Sequence, residues 1–359
     1  MRFHRDSRIP CLRRASPRLR KRGKGSQSPL GDPAGSPSRR NSLPNSTRDS
    51  RFDVTGIGSI SIDFIGTAEA WPPPGGKVPL SSFSVQGGGV IATALSAVSR
   101  LGGSARFAGV LGYSEMAVQA LETLKRDGVD TSLVLRRAGA EPIRAFVFSD
   151  TTSGERTIFF TRDGVEYPDP EEFPDTDWFR TTRTLLVSAG AGNSGLKMAQ
   201  AAQCEGLPVI LDAEHVTPLS KAFLQASDYI VVPWTFASAY TGSVDLDEAT
   251  QGLWLRPRQF VVITLGDQGC STFDGNILRR FPAIPVETID TTGCGDVFHG
   301  AFALAVARKE PIEQACRFAS AAAALCATRL GGRAGIPNRE TVEDLLRRSS
   351  GGETGHQSQ

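Results

Sequence analysis

The segment from Asp290 to Gly300 combines residue types that can hold an anion and accept a proton. It reads Asp-Thr-Thr-Gly-Cys-Gly-Asp-Val-Phe-His-Gly, and an apolar helical run follows it. Gly293 and Gly295 would open this helix and leave backbone N–H groups pointing at one spot, where the helix dipole adds partial positive charge. The pattern predicts an anion hole that could stabilise a transferring phosphoryl group. The structural alternative is a glycine-rich turn with an aspartate cap.

Asp296 would lie in the first turn of the same helix, beside the predicted anion hole. Its carboxylate could accept the proton of an attacking hydroxyl group. A carboxylate is a weak base, but the transition state of phosphoryl transfer is loose, so the position of the base matters more than its basicity. The spacing therefore favours phosphoryl transfer to an alcohol.

Signatures of three other enzyme classes are incomplete or absent. Gly56 and Gly58 follow a strand-like run, but Ser61 replaces the third glycine of G-x-G-x-x-G, and the three prolines of 71–74 preclude a helix soon afterwards. The chain has neither a Walker A sequence nor G-x-S-x-G. These observations disfavour a dinucleotide oxidoreductase, a P-loop enzyme and an α/β-hydrolase.

Length, composition and charge limit the class of protein and its partners. The 359 residues are 40% hydrophobic and 22% charged, with 38 Gly and 22 Pro, which is typical of a turn-rich globular enzyme of one or two domains. The net charge is +2, but residues 1–51 hold 14 Lys and Arg against three Asp, so the remainder is acidic. An acidic body disfavours nucleic acid as a partner. No apolar stretch is long enough to span a membrane, so we expect no membrane partner.

The cysteines predict reduced thiols rather than disulfides or a zinc site. They form no Cys-x-x-Cys pair and no cluster with His at zinc-like spacing, which favours a cytoplasmic location. The six positions are Cys11, Cys204, Cys270, Cys294, Cys316 and Cys326.

Both ends of the chain are predicted to be disordered. Residues 1–51 are rich in Arg, Ser, Pro and Gly and have no apolar period, so they would form a disordered basic tail. Three interpretations of this tail remain open: an organellar transit peptide, an artefactual upstream start and a basic interaction tail. The first would make the location organellar. Residues 349–359 are predicted as a second disordered tail.

Between residues 52 and 348, strand-like runs alternate with helical runs. This alternation is typical of an α/β fold with a mostly parallel central sheet flanked by helices. Strands are predicted at Asp53–Ile57, Arg106–Val110, Thr184–Ser188, Pro208–Leu211, Tyr229–Val232 and Phe260–Thr264. Helices are predicted at Ile91–Arg100, Met116–Arg126, Leu196–Cys204, Ser220–Ala226, Cys294–Arg308 and Pro311–Arg329.

Two regions, at about 64–87 and 140–162, break the alternation. In the second, Ala145–Asp150 and Glu155–Phe160 flank a Thr-Thr-Ser-Gly turn, which predicts a hairpin. Together the two regions would form a small β-sheet over one edge of the main sheet. We expect this small sheet to act as a lid.

Four motifs together resemble the PfkB/ribokinase family of ATP-dependent sugar and nucleoside kinases. The segment 290–298 is similar to the carboxy-terminal signature of the family, and 87–89 followed by 92–103 is similar to its amino-terminal signature. Val54–Gly58 with Asp63 is similar to the first strand and its substrate-binding aspartate, and Val262–Gly269 resembles the strand and turn that contact the nucleotide. The resemblance extends from residue 53 to about 345 and implies a ribokinase-like fold.

The resemblance also implies roles for individual residues. Asp296 would be the catalytic base, and Gly293, Cys294 and Gly295 would form the anion hole. Sugar hydroxyls would contact Asp63, Gly88, Gly89 and Thr93, where Thr93 stands in place of the usual Asn. ATP would lie along Thr264, Gly266, Gly269, Ala322 and Gly332, with Mg²⁺ bound mostly by phosphates and water. Asp290 and Thr292 match positions that contribute to a monovalent cation site, such as one for K⁺, and a homodimer through the lid is expected.

Within the family, the segments 296–300 and 331–337 look most like the sulfofructose-kinase branch. Lys77 and Arg144 are candidates for an anionic group on the substrate, and for each the alternative is a surface position. An apolar run at 157–160 and the lack of an Arg in 188–193 argue against a sulfosugar. The Asn-x-x-Glu motif of many members is missing from 232–236, so Asp212 and Glu214 are the candidates for a Mg²⁺-associated carboxylate. The missing motif leaves open a catalytically silent sugar- or nucleotide-binding regulator.

Overall fold

Among the described residues, a nine-stranded sheet and a four-stranded sheet form the framework of the fold. The computed structural model describes residues 52–152, 156–173 and 177–351. The strands are β1 (Phe52–Ile57), β2 (Ser61–Ala68), β3 (Ser82–Gly88), β4 (Ala105–Leu111), β5 (Asp130–Arg136), β6 (Ile143–Asp150), β7 (Arg156–Thr161), β8 (Thr182–Ser188), β9 (Val209–Asp212), β10 (Tyr229–Pro233), β11 (Phe260–Thr264), β12 (Cys270–Phe273) and β13 (Leu278–Phe281). The helices are α1 (Val90–Arg100), α2 (Glu115–Arg126), α3 (Asp177–Arg180), α4 (Gly192–Cys204), α5 (Ser220–Ala226), α6 (Trp234–Thr241), α7 (Leu246–Gly252), α8 (Cys294–Ala307), α9 (Ile312–Cys326) and α10 (Arg339–Gly351).

The large sheet is parallel except at one edge. Its strand order is β13-β12-β11-β10-β9-β8-β1-β4-β5, and only β12 and β13 run antiparallel to their neighbours. Helices cover both faces, so the central strands are continuous apolar runs, as in the buried β10 and β11. One hydrophobic cluster contains residues of α1, α2, α8 and α9, and the other contains residues of α3 to α7. The predicted fold class is confirmed.

Helix α8 runs through the first cluster and is hydrophobic on every side. Every residue from Val297 to Ala307 is buried, and a helix that is apolar all round is stable only inside a core. Gly293 precedes it as the N-cap, with φ 73°. The first turn of α8 is therefore held rigidly by the core behind it.

The small sheet has the order β3-β2-β6-β7, in which β2 and β6 are parallel and the outer pairs are antiparallel. We call this sheet the lid sheet. Strand β2 begins at Ser61, earlier than the region predicted for the lid, and β3 begins at Ser82. The register aligns Asp63 of β2 with Ala145 of β6, so these two side chains share one face of the sheet.

The two ends of the chain lie largely outside the described residues. The predictions for residues 1–51 and 352–359 lie outside the described residues, as does part of the predicted hairpin turn. Residues 349–351 continue α10, so the prediction of disorder was wrong for those three. Within the described ranges, none of the helices has the length and apolarity to cross a bilayer.

Candidate active site

A cavity of about 520 Å³ lies at the carboxyl end of β11, next to the start of α8. Thr264, Gly266 and Gly269 line one side of it, and Cys294 and Gly295 line another. Ligands of open α/β sheets bind at this edge, outside the carboxyl ends of the strands. The structure thus brings three of the predicted nucleotide residues next to the predicted anion hole.

Two other predicted nucleotide residues lie elsewhere. Ala322 is fully buried in α9, and its neighbours Ala323 and Ala324 line the cavity instead, because the helix turns Ala322 toward the core. The prediction for Ala322 is therefore corrected. Gly332 lies behind the anion hole, where a Cβ built on it would meet the Cα of Gly293 at 3.2 Å.

The start of α8 carries backbone N–H groups without partners. Those of Gly293, Gly295 and Asp296 make no hydrogen bond within the described residues, as expected for the first turn of a helix. The N–H of Cys294 instead donates to the carbonyl of Thr291 at 3.3 Å. The prediction for the amide of Cys294 is thereby corrected, and the N–H of Asp296 becomes a candidate donor in its place.

Asp296 lies among acidic groups at the same strand ends. Loss of hydration raises the pKa of its carboxyl well above the ordinary value, and the charges of Asp212 and Glu214 raise this pKa further. Asp63 adds to the same effect on Asp296. A carboxyl with a raised pKa holds a proton more readily than a surface aspartate does. The site therefore contains a group suited to accept a proton from an alcohol.

Asp63 and Gly88 pack tightly where β2 and β3 meet. A Cβ on Gly88 would lie 1.9 Å from Asp63 Oδ2, so only glycine leaves room for this carboxylate. Asp63 Oδ1 accepts a 2.6 Å hydrogen bond from Ser61 Oγ. Burial raises the pKa of Asp63, and the Ser61 bond partly offsets this rise.

Gly89 and Thr93 join the lid sheet to α1. Gly89 has φ 90°, and a Cβ there would lie 2.6 Å from Ile60 Cα. Its carbonyl accepts the N–H of Thr93 at 2.8 Å. The side chain of Thr93 is 2% exposed, so its contact with a sugar stays a prediction.

The structure corrects the predictions for Arg144 and Lys77. Arg144 pairs with Ile62, one residue from Asp63, so its side chain lies on the opposite face of the lid sheet, where it donates to the carbonyl of Asp163. Lys77 lines a separate cavity with Phe148, which is also on that outer face. Neither cation shares the face of Asp63.

The side chains of Asp290 and Thr292, predicted to contribute to a monovalent cation site, both have partners within the protein. Asp290 Oδ1 accepts hydrogen bonds from the N–H and Oγ1 of Thr292, and Oδ2 accepts the N–H of Gly331. Arg156 of β7 lies 3.8 Å from Asp290 and donates to Thr291 and Thr292. This guanidinium and the three hydrogen bonds compete with a cation for the carboxylate, and the monovalent cation site stays a prediction.

Asp212 and Glu214 fit a Mg²⁺-associated role better. Asp212 Oδ2 is a buried oxygen without a hydrogen-bond partner, and Glu214 is an exposed carboxylate beside it. Burial raises the pKa of Asp212 to about 6. Carboxylate oxygens are the ligands that Mg²⁺ prefers, either directly or through water. No group of three or more potential ligands meets the geometry of a complete metal site in the described part of the chain.

Three residues around the site were not predicted from the sequence to act there. Arg156 reaches the anion hole from the lid sheet. His299 lies within hydrogen-bonding distance of the carbonyls of Gly295 and Val231, at 2.8 and 2.9 Å. Arg333, 5% exposed, donates to the carbonyl of Gly88 at 2.8 Å. The contact of His299 with Gly295 is local to α8. The other contacts join segments far apart in the chain, so nothing in the local sequence indicates them.

Comparison with known proteins gives a consistent result. A family model described as pfkB family carbohydrate kinase matches residues 52–339. Ribokinase of Bacillus subtilis is 29% identical over 292 residues, which cover 81% of this chain and 98% of the relative. Fructokinase-2 of Zea mays is 25% identical over 323 residues, which cover 83% of this chain and 95% of the relative. The structure of Arabidopsis thaliana ribokinase complexed with ribose and ATP matches with a TM-score of 0.70 and 26% identity, over 82% of this chain and 98% of that one. The family match spans both sheets and the start of α8.

Proposed function

Because the chain belongs to the pfkB family and is an ATP-dependent carbohydrate kinase, we propose that Asp296 is the base of its reaction and that the start of α8 holds the transferring phosphoryl group. One observation carries this proposal: three N–H groups without partners lie in the same helical turn as a carboxyl with a raised pKa. The turn borders the cavity at the end of β11. An anion and an alcohol can therefore meet there.

In the proposed reaction, Asp296 accepts the proton of a sugar hydroxyl as that oxygen attacks the γ-phosphorus of ATP. The bond to the β–γ bridging oxygen breaks, and ADP leaves. The N–H groups of Gly293, Gly295 and Asp296 donate to the phosphoryl oxygens, and the dipole of α8 stabilises their charge. Arg156 adds a positive charge at the same place.

The nucleotide and the metal would occupy the other side of the site. Thr264, Gly266 and Gly269 line the cavity in which ATP would lie. Glu214 and Asp212 would hold Mg²⁺ through water. When bound, Mg²⁺ neutralises negative charge on the phosphates.

The sugar would lie between Asp63 and Asp296. Asp63 would accept hydrogen bonds from sugar hydroxyls, and Gly88 leaves the space for its carboxylate. The relatives are named ribokinase and fructokinase, so a neutral sugar is the first choice of substrate. With Lys77 and Arg144 on the outer face, support for a sulfofructose-type substrate is reduced. Arg162 lies beside Gly190, because its Nη2 would be 3.2 Å from a Cβ built on that glycine. This guanidinium keeps anionic sugars as the second choice of substrate.

The outer face of the lid sheet supports a homodimer. Val85, Phe64, Phe146 and Phe159 form one row across all four strands. The last two are 44% and 57% exposed, and Trp71 packs edge-on against Phe159. Val85 is also exposed, whereas Phe64 packs partly against the core. Exposed apolar side chains in one row of a sheet face are typical of a surface that a second copy covers.

The compartment is proposed from the cysteines. Those in the described residues form no disulfide, which favours a cytoplasmic location, or an organellar one if residues 1–51 are a transit peptide.

Release of ADP in the presence of a sugar panel tests the function. The panel holds ribose, fructose, fructose phosphates, sulfofructose, ketodeoxygluconate and nucleosides. We expect ADP release that depends on a neutral sugar. Calorimetric binding of sugar and nucleotide without ADP release would instead support a catalytically silent regulator.

A further inference from the structure

Two charged groups of opposite sign contact the glycine-rich end of strand β3. A Cβ on Gly87 would lie 2.4 Å from Arg333 Nη1, and a Cβ on Gly88 would lie 1.9 Å from Asp63 Oδ2. Successive residues of a strand face opposite sides of the sheet, so the guanidinium and the carboxylate hold this strand end from its two faces. Glycine has no side chain to pack and gives a permissive backbone. The position of the strand end therefore depends on contacts of this kind.

Arg333 holds the strand end through hydrogen bonds of its guanidinium. Nη2 donates to the carbonyl of Gly88 at 2.8 Å, and Nη1 donates to Thr123 Oγ1 at 3.0 Å. Burial lowers the pKa of Arg333 to about 10, so the guanidinium is still charged at neutral pH. A hydrogen bond from a charged donor is stronger than one from a neutral donor. The bond to Gly88 is therefore a firm link between the lid sheet and the body of the protein.

Arg333 also belongs to the loop that packs against the start of α8. A Cβ on Gly293 would lie 2.7 Å from the Cα of Gly332, the residue before Arg333. The N–H of Gly331 donates to Asp290 Oδ2 at 2.8 Å. Three successive residues, 331–333, thus join the end of β3 to the segment from which α8 begins.

We propose that Arg333 is a positioning residue of the phosphoryl transfer. By holding the carbonyl of Gly88, it sets the distance between a sugar bound at Asp63 and a phosphoryl group bound at the start of α8. This role rests on the proposed function, which places the two reacting groups at those two positions.

A purely structural role as the partner of Asp127 explains these contacts less well. Asp127 accepts hydrogen bonds from Arg100 Nη2 at 2.7 Å and from Ser96 Oγ at 2.8 Å. Arg333 Nη1 lies farther from this carboxylate, at 3.6 Å. Because Arg100 already pairs with Asp127, the charge of Arg333 is not needed to neutralise it. The shortest bond of the Arg333 side chain is the one to Gly88.

Loss of this contact should misplace the sugar rather than weaken the binding of the nucleotide. The end of β3 would be free to shift relative to α8, and a displacement of about 1 Å between reacting groups can cost about 10²-fold in rate. Arg333 is not one of the described residues that line the cavity at the end of β11. The affinity for ADP should therefore change little.

Single-turnover phosphoryl transfer and ADP binding by the full-length protein test this role, with the best sugar of the panel as substrate. Arg333→Lys keeps a positive charge but cannot donate from two fixed nitrogens to Gly88 and Thr123 at once. We expect its rate to fall at least thirtyfold while ADP affinity stays within threefold. Thr123→Val is the matched control, because it removes the other hydrogen bond of the same guanidinium. It should lower the melting temperature and keep the rate within threefold.

A second variant disturbs the same contact from the strand. Gly87→Ala places a methyl group where the guanidinium lies, on the face of β3 opposite to Asp63. Its rate should fall at least tenfold, again with ADP affinity within threefold. Circular dichroism shows whether each variant folds, and Gly87→Ala decides if Arg333→Lys does not.

Chemical rescue separates positioning from stability. Arg333→Ala leaves a space shaped for a guanidinium ion beside Gly88. Millimolar guanidinium chloride should raise its single-turnover rate at least tenfold, whereas the same concentration of sodium chloride should not. Equal effects of the two salts would argue against the role of the guanidinium.

Asp63→Asn, measured in parallel, distinguishes this role from the proposed function. If Asp63→Asn raises the KM for the sugar but Arg333→Lys and Gly87→Ala keep the wild-type rate, the role of Arg333 is overturned and the sugar site stands. If Asp63→Asn leaves this KM unchanged, the proposed sugar site fails and the role of Arg333 fails with it. A rate that falls as far in Thr123→Val as in Arg333→Lys would show a merely structural contact and would also overturn the proposal.

Discussion

Gly332 packs against Gly293 so closely that Gly293 has no room for a side chain. A Cβ on Gly293 would lie 2.7 Å from Gly332 Cα, and φ of Gly293 is 73°. The contact joins the loop after α9 to the start of α8. The proposed anion hole is therefore built from two chain segments, and we expect the positions of its N–H groups to depend on this contact.

Gly293→Ala should lower kcat at least a hundredfold. The new methyl group must push the loop away from α8, and a displacement of about 1 Å at a reacting centre can cost about 10²-fold in rate. The matched control is Gly206→Ala, because Gly206 has φ 69° and open space around it. The control should lose about 1 kcal/mol of stability through backbone strain and keep kcat within twofold. Equal activity of both variants would contradict the role of the contact.

Asp63→Asn should raise the KM for the sugar at least tenfold and leave the KM for ATP within threefold. The amide keeps the shape of the carboxylate but loses the charge that strengthens hydrogen bonds from hydroxyl groups. Lys77→Ala serves as the comparison, since Lys77 lies on the outer face of the lid sheet. It should change the KM for the sugar less than twofold. Steady-state kinetics with both substrates measure these KM values. If Lys77→Ala raised the KM for the sugar more than Asp63→Asn does, Lys77 rather than Asp63 would contact the sugar.

The acid side of the pH profile should depend on Glu214. The base must be ionised to accept a proton, so kcat falls as the pH drops through the pKa of Asp296. Because the charge of Glu214 raises the pKa of Asp296, Glu214→Gln should move this limb to lower pH. The measurement is kcat against pH at saturating Mg²⁺ and substrates. Glu122→Gln, on the surface of α2, should leave the limb in place, and an unchanged limb in both variants would argue against the coupling.

Phe146→Asp should convert a dimer to a monomer. The substitution places a charge among the exposed apolar side chains of the lid sheet, where a second copy would have to bury it without a partner. Val244→Asp is the control, because Val244 is 92% exposed outside the lid sheet. Analytical ultracentrifugation gives the mass of each. A wild-type protein that sediments as a monomer would refute the proposed dimer.

Much of the central fold follows from the sequence. The continuous apolar runs of β8, β10 and β11 identify buried parallel strands. Helix α8 was predicted to within one residue, because its glycine-rich start and apolar body are both local signals. Strand β2 was missed, since most of its contacts are with β3 and β6, and only the fold brings these strands together.

The site could be predicted only where its residues lie in one segment. The sequence 293–296 alone led to the prediction of an anion hole and a base in one segment. Arg156 and Asp290 are far apart in the chain, and no local pattern shows that a lid strand brings one to the other. The face on which Arg144 lies depends on the strand register, which the sequence does not fix.

Asp296→Asn, measured by single-turnover phosphoryl transfer beside ADP binding, tests the central claim most directly. We predict that the rate falls at least a thousandfold while ADP affinity stays within threefold, because only the proton acceptor is lost. The melting temperature should rise, since a carboxyl whose pKa is raised by folding destabilises the fold at neutral pH. Asp247→Asn, in the first turn of α7, is the matched control and should keep full activity. An Asp296→Asn protein that retains a tenth of the wild-type rate would contradict the assignment of Asp296 as the base.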